Sequence, residues 1–307
     1  MSARSAVVAV TIAILAISSS APLIAFAAAP GLAIAFWRNA LAVGALAPFA
    51  LSRRRAELAA LTQGAGRREG VFCVLAGLAL AVHFGTWVPS VKLTTVAAAA
   101  ALSATQPVWQ GLIALGQGRR LSLATWCGIA VAVLGAILAT GADFLSDRRA
   151  VLGDVLAIAG GMAGAAYTAF GERVRATTST TAYTTVCYTV CALALGLACL
   201  VGGVSMVGFA ATTWLAILAL TAGAQLLGHS MFTFALRRIS APTVSILMLL
   251  EVPGAALLAW AWLGQTPRPA SIPGLLLLLV GVGVVVLGGR PAVRRSPDPA
   301  ADVGATM

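Results

Sequence analysis

Apolar runs of about 18 to 22 residues recur down the whole chain, each long enough to cross roughly 30 Å of hydrocarbon as a helix. No water is available there to hydrogen-bond the peptide groups, so each run must satisfy its own backbone, and the helix is the form open to it. The composition agrees: 60% hydrophobic, 9% charged and a mean hydropathy of +0.97 lie outside the range of soluble domains. The expected fold class is an all-α polytopic membrane protein. A net charge of +11 does not make it a nucleic-acid binder, because the arginines sit in short clusters between apolar runs, as they do in cytoplasmic loops.

Ten runs are expected to span, at about 5–27, 33–51, 70–89, 95–115, 123–140, 153–171, 181–201, 212–236, 242–263 and 273–287. The first resembles a signal peptide, but its apolar character continues to Pro30 without a polar segment, so it is read as a retained helix. With the N-terminus inside, fifteen of the twenty basic residues face the cytoplasm, including Arg53, Arg54, Arg55, Arg119, Arg120, Arg237 and Arg238. The opposite orientation would put those fifteen outside, so the positive-inside rule places both termini in the cytoplasm.

The chain also carries a diverged copy of itself. At an offset of 146 residues Gly77 falls on Gly223, His83 on His229, Lys92 on Arg238 and Pro107 on Pro253. With a two-residue slip, Gly116-Gln117 falls on Gly264-Gln265 and Gly135 on Gly283. The expected organisation is a first five-helix repeat over 1–140, a link at 141–152, a second repeat over 153–288 and a disordered cytoplasmic tail over 289–307. Five spans is an odd number, so the second copy enters the membrane from the opposite side. Inverted repeats recur in secondary transporters, with the substrate site near the midplane where the halves meet.

Several motifs, in order, resemble the drug/metabolite transporter superfamily, specifically its EamA-like members with ten helices and two repeats. They are Trp37-Arg38-Asn39, Lys92-Leu93-Thr94-Thr95, Gln106-Pro107 with Gly116, Gly153-Asp154, Leu250-Glu251-Val252-Pro253-Gly254 and Leu263-Gly264-Gln265-Thr266-Pro267. The resemblance covers about residues 6–288. It implies a transporter of small metabolites; such members export amino acids across the bacterial inner membrane, some with protons, and others move drugs or nucleotide sugars. Two positions depart from the family pattern. Val252 separates Glu251 from Pro253, and Gln117 and Gln265 stand where the family commonly has glutamate.

The residues themselves nominate a site. Glu251 is the tenth residue of its span, about 15 Å deep, where an ionisable group is costly and is by default a functional candidate for substrate or proton work. The bland alternative is a neutral acid bonded to a carbonyl freed by Pro253. His83 and His229, the only two histidines, are expected at symmetric, separated positions on opposite sides of the midplane. Each is read either as a cavity group or as a helix-to-helix hydrogen-bonding residue. Arg38 lies about 9 Å from the outer end of its span, where it either snorkels or pairs with a substrate carboxylate. Gln106, Tyr167 and Gln225 complete the substrate-binding candidates, and Trp87 is read as an interfacial belt residue. Pro22, Pro107 and Pro253 are expected to break their helices. Gly160, Gly161 and Gly164 give the sixth span a small-residue packing face.

The function expected is a secondary active transporter that exports amino acids or related metabolites by alternating access, with proton exchange as the candidate coupling. No Gly-Lys-Ser/Thr loop for nucleotide binding is present. A multidrug or organic-cation exporter is the alternative. Receptors without transport and intramembrane enzymes rank lower, since the two histidines and the five cysteines assemble no nucleophile or metal set. The expected partners are a small-molecule substrate and membrane lipid, not nucleic acid, with the protein a monomer or homodimer; no cofactor or metal is called for.

Overall fold

The structure, a computed structural model, describes residues 3–94, 96–140, 148–264 and 269–288. Most of the expected inter-repeat link, Gln265, Arg268 and the expected tail lie outside the described residues. Among the described residues all regular structure is helical. In chain order the helices are α1 (Ala3–Ser18), α2 (Ser20–Phe26), α3 (Gly31–Arg53), α4 (Arg55–Ala60), α5 (Arg67–Leu93), α6 (Val96–Ser103), α7 (Gln106–Gly116) and α8 (Leu123–Thr140). They continue with α9 (Arg148–Val174), α10 (Thr180–Val201), α11 (Ala211–Leu220), a π-helical segment (Thr221–His229), α12 (Ser230–Ala235), α13 (Ala241–Met248), α14 (Glu251–Leu263) and α15 (Ile272–Gly288). Among the described residues seven helices, counting across their internal breaks, are long and apolar enough to cross a membrane. Leu123–Leu138 and Ile272–Leu287 are apolar but shorter, and the fourth expected span is the broken pair α6 and α7.

Proline explains where helices break. Its ring removes an N–H and crowds the carbonyl four residues earlier. Four residues before Pro22, Pro107 and Pro253 stand Ser18, Ser103 and Leu249, and α1, α6 and α13 end at Ser18, Ser103 and Met248. Pro48 and Pro89 are also preceded by four residues, but there the residue is Gly44 or Gly85, and α3 and α5 run on unbroken. Glycine's backbone freedom lets that carbonyl tilt away from the ring.

The two halves interlock through matched contacts. In the first-to-second-half direction α5 packs on α9; its repeat-related mate is the packing of α1 on the π segment and α12. α6 and α7 pack on α9, and α13 and α14 correspondingly pack on α1. α3 pairs with α10 and α8 with α15, each a contact between repeat-equivalent helices. This pairing is what a pseudo-two-fold axis between the halves requires. The α8–α15 pair is held by small residues: a Cβ on Gly135 would meet Leu278 N at 2.3 Å and Gly274 O at 2.7 Å. Lipid tails are as apolar as the side chains, so such close approach is what holds helices together in a membrane.

One end of the bundle carries most of the described arginines, while the other carries Lys92, Arg148 and Arg149. At the basic end Arg119 pairs with Glu172 at 2.7 Å, Arg173 lies over the Phe72 ring, and Arg175 donates to Thr233 O and Thr178 O. Glu57, on the short helix α4, accepts from Ser179 N at 2.5 Å and Ser179 Oγ at 2.7 Å, tying that loop to the start of α10. At the other end Lys92 Nζ donates to Ala27 O at 2.6 Å, Phe26 meets Trp262, and Trp37 Nε1 donates to Met206 O at 2.7 Å.

Candidate functional site

The three proline-directed breaks converge. Ile17 and Ser20 flank the first, Ser103, Ala104 and Gln106 the second, and Leu249, Glu251 and Val252 the third. All of them line one interior cavity of about 40 Å³. His83, Trp87, His229 and Ser245 complete the polar and aromatic part of its wall. Glu251 is the first residue of α14 and so stands at the N-terminal end of a helix, where unpaired N–H groups favour negative charge.

The glycines of α9 bring α5 and α7 onto this wall. Gly160 lies under Trp87, Gly161 under Ser103, and Gly164 under both Gln106 and His83. The expected small-residue face is therefore a docking face for site residues. Gln106 Nε2 donates to Thr168 Oγ1 and Ser245 Oγ, both at 3.3 Å, and so links α7 to α9 and α13. His83 Nδ1 lies 2.8 Å from Gly160 O. A carbonyl only accepts, so Nδ1 carries a proton, and in the neutral ring Nε2 is then the acceptor.

Two expectations are corrected. The histidines, expected apart, are in edge-to-face contact with ring centroids 6.1 Å apart. Residues related by a two-fold axis meet when they lie close to it, and both helices present these rings to the axis. Trp87, expected in an interfacial belt, is only 5% exposed and stacks on His83 with planes 5° apart. The sequence position near the helix end says nothing about α9, whose glycines leave room for the indole.

Other predicted residues sit behind the cavity wall. Tyr167 is buried, bonded through its hydroxyl to Thr233 Oγ1 at 3.0 Å, with its ring 6.2 Å from His229. Arg38 is fully buried. Its Nε donates to Gln225 Oε1 at 2.9 Å, and its guanidinium carbon lies 4.1 Å from the centre of the Phe84 ring. Arginine has no acceptor, so Gln225 must turn its oxygen to it. The other end of that amide, Nε2, then donates to Asn39 Oδ1 at 3.1 Å, and Asn39 Nδ2 to Ala35 O at 2.9 Å. Each link fixes the orientation of the next. The snorkelling alternative for Arg38 does not hold.

The π segment supplies the last elements. Its wider turn carries both Gln225 and His229, and Gln225 O accepts from Ser230 Oγ and from Tyr188 Oη, each at 3.4 Å. Such segments concentrate at functional sites. Sequence reasoning passed over Phe84, which links Arg38 to His229 at a ring distance of 5.1 Å, and over Thr168, Ser245 and Tyr188. Phe84 adjoins His83, and Thr168 follows Gly164 by one helical turn, but apolar helices offer many such neighbours. Among the described residues no group of three histidine, cysteine or acidic side chains is placed to hold a metal.

These features define a polytopic helical membrane protein whose helices meet around a small cavity lined by both polar and apolar side chains. The model of the EamA-like transporter family matches the chain twice, over residues 4–141 and 151–287, and the chain belongs to that family. No curated protein matches it. A solved structure described only as "Crystal structure of protein" is similar over 94% of this chain and 99% of that one, with a TM-score of 0.74 and 22% identity. At that identity the likeness concerns the fold alone.

Proposed function

We propose that this protein is a secondary active transporter of the bacterial inner membrane that exports amino acids or related small metabolites in exchange for protons by alternating access. The chain crosses ten times, with both termini in the cytoplasm and the basic end of the bundle facing in. The observation that carries this reading is the convergence of three helix breaks on one cavity that holds Glu251. Helix breaks free backbone groups and act as hinges, and irregular backbone at membrane depth is tolerated where it lines a cavity. A cavity of about 40 Å³ takes water but not an amino acid, so cargo enters only after the halves rock apart. The matched helix pairs between the halves support two alternative openings as the way this is done.

Glu251 is the group through which the proton gradient acts, with His83 Nε2 and His229 as neighbouring acceptors on the same wall. The test is counterflow in proteoliposomes with a pooled labelled panel of amino acids, with and without an imposed pH gradient, for wild type and Glu251→Gln. Wild type exchanges label and responds to the gradient; Glu251→Gln exchanges label without responding. Absence of exchange for every amino acid, with exchange of organic cations, sinks the cargo assignment. Equal gradient response in both proteins removes Glu251 from coupling.

A further inference from the structure

Arg38 holds a charge that the protein alone does not satisfy. It is fully buried, and a guanidinium does not shed its proton in a protein. Of its donors only Nε is committed, to Gln225; among the described residues neither Nη1 nor Nη2 has a hydrogen-bond acceptor. A buried charge without partners is strongly unfavourable, so the group must be matched in some step of the working cycle. Among the described residues no carboxylate lies at ion-pair distance from it, Glu251 included.

The rest of the surroundings hold Arg38 in place. Gln225 fixes Nε and is itself fixed by Asn39, while the Phe84 ring lies against the guanidinium carbon. What remains is the end-on edge formed by the two terminal nitrogens, a planar fork that matches two oxygens of a carboxylate. The neighbours on that route are the sequence's own site elements: Phe84 touches His229, and His229 lines the cavity.

We propose that the terminal nitrogens of Arg38 are the docking point for the carboxylate of the transported molecule, reached from the cavity when the halves separate past Phe84 and His229. The cargo is therefore a carboxylic acid, with amino acids the class that also suits Glu251 through their ammonium group. This deepens the transport reading above and rests on it for the route but not for the binding chemistry. A lipophilic cation finds no partner at Arg38.

The experiment measures thermal unfolding of the purified full chain in detergent. The additions are an equimolar mixture of the twenty amino acids, the matching mixture of amino-acid amides, and inorganic phosphate. Ligands that bind the folded state raise the unfolding temperature. In wild type the acids raise it and the amides act at least tenfold more weakly in concentration; phosphate has no effect. Arg38→Lys keeps the charge but loses the fork, and the concentration of acids needed rises at least tenfold. Amides as effective as acids overturn the proposal, as does a response to phosphate alone, or no response to any addition. An undiminished response to acids in Arg38→Lys also overturns it. If Arg38→Lys does not fold, the acid-against-amide comparison in wild type decides. Acid binding without counterflow in liposomes would instead defeat the transport reading and leave the site standing.

Discussion

Gly281 and Gly283 lie on the same helix, two residues apart, and adding one methyl to each is expected to have opposite effects. At Gly281 the new Cβ would sit 2.3 Å from Ala132 N and 2.7 Å from Ala132 Cα; at Gly283 nothing lies within 4 Å. Carbon contacts settle at about 3.5 Å or more, so Gly281→Ala demands a separation of α8 and α15 of about 1 Å. The obstructing atoms are backbone and cannot rotate away. Overpacking of this kind costs about 1–3 kcal/mol, and alanine returns up to about 1 kcal/mol of helix propensity. The net expectation for Gly281→Ala is a loss of about 2 kcal/mol, and for Gly283→Ala a change between zero and a gain of about 1 kcal/mol. At about 2–4 °C per kcal/mol, unfolding temperatures of the two variants in detergent should differ by roughly 4–12 °C. Equal unfolding temperatures would falsify the contact-driven packing of this pair.

Three further outcomes follow from the site and the basic end. Gly164→Ala places a methyl 2.8 Å from Gln106 Oε1 and 3.0 Å from His83 Nδ1. It should cut counterflow at least tenfold while the protein still elutes as a single folded species, and unchanged rates would detach Gln106 and His83 from transport. Glu57→Ala removes both acceptors from Ser179 and should cost about 1–2 kcal/mol in thermal unfolding, the range for losing a helix cap; no shift would mean the loop is not anchored there. The Arg119–Glu172 pair is partly exposed, so Glu172→Gln should cost no more than about 1 kcal/mol, and less as salt is raised. A larger, salt-insensitive loss would show that this pair does more than close the basic end.

Much of the fold was legible because the membrane leaves the backbone few choices. Apolar runs locate the helices, and prolines locate the breaks, since a ring at Pro22, Pro107 or Pro253 crowds a carbonyl one turn earlier. Glu251 and Gln106 were legible for a related reason: polar groups are conspicuous in apolar runs, and both line the cavity. What could not be read was rotation about the helix axes. A period of 3.6 residues on a helix that is apolar all round gives no inside face, so Trp87 was placed toward the interface and the two histidines apart. The π segment was equally silent in the sequence, yet its altered turn aims Gln225 at Arg38 and His229 at His83. Arg38 was legible as a residue of interest; that its outer nitrogens are unpaired is a fact of three dimensions.

Alternating access at the three-break cavity is most directly tested by a single cysteine within it. Ser103 lines the cavity next to the second break, and Cys127 is the exposed native cysteine among the five. The protein would carry Ser103→Cys and Cys127→Ser, in right-side-out and inside-out vesicles, with labelling by a membrane-impermeant thiol reagent. Labelling of residue 103 from both sides, with cargo or a pH gradient shifting the balance between them, is the expected result. Labelling from one side only under every gradient, or from neither, would contradict a cavity that opens alternately to the two faces of the membrane.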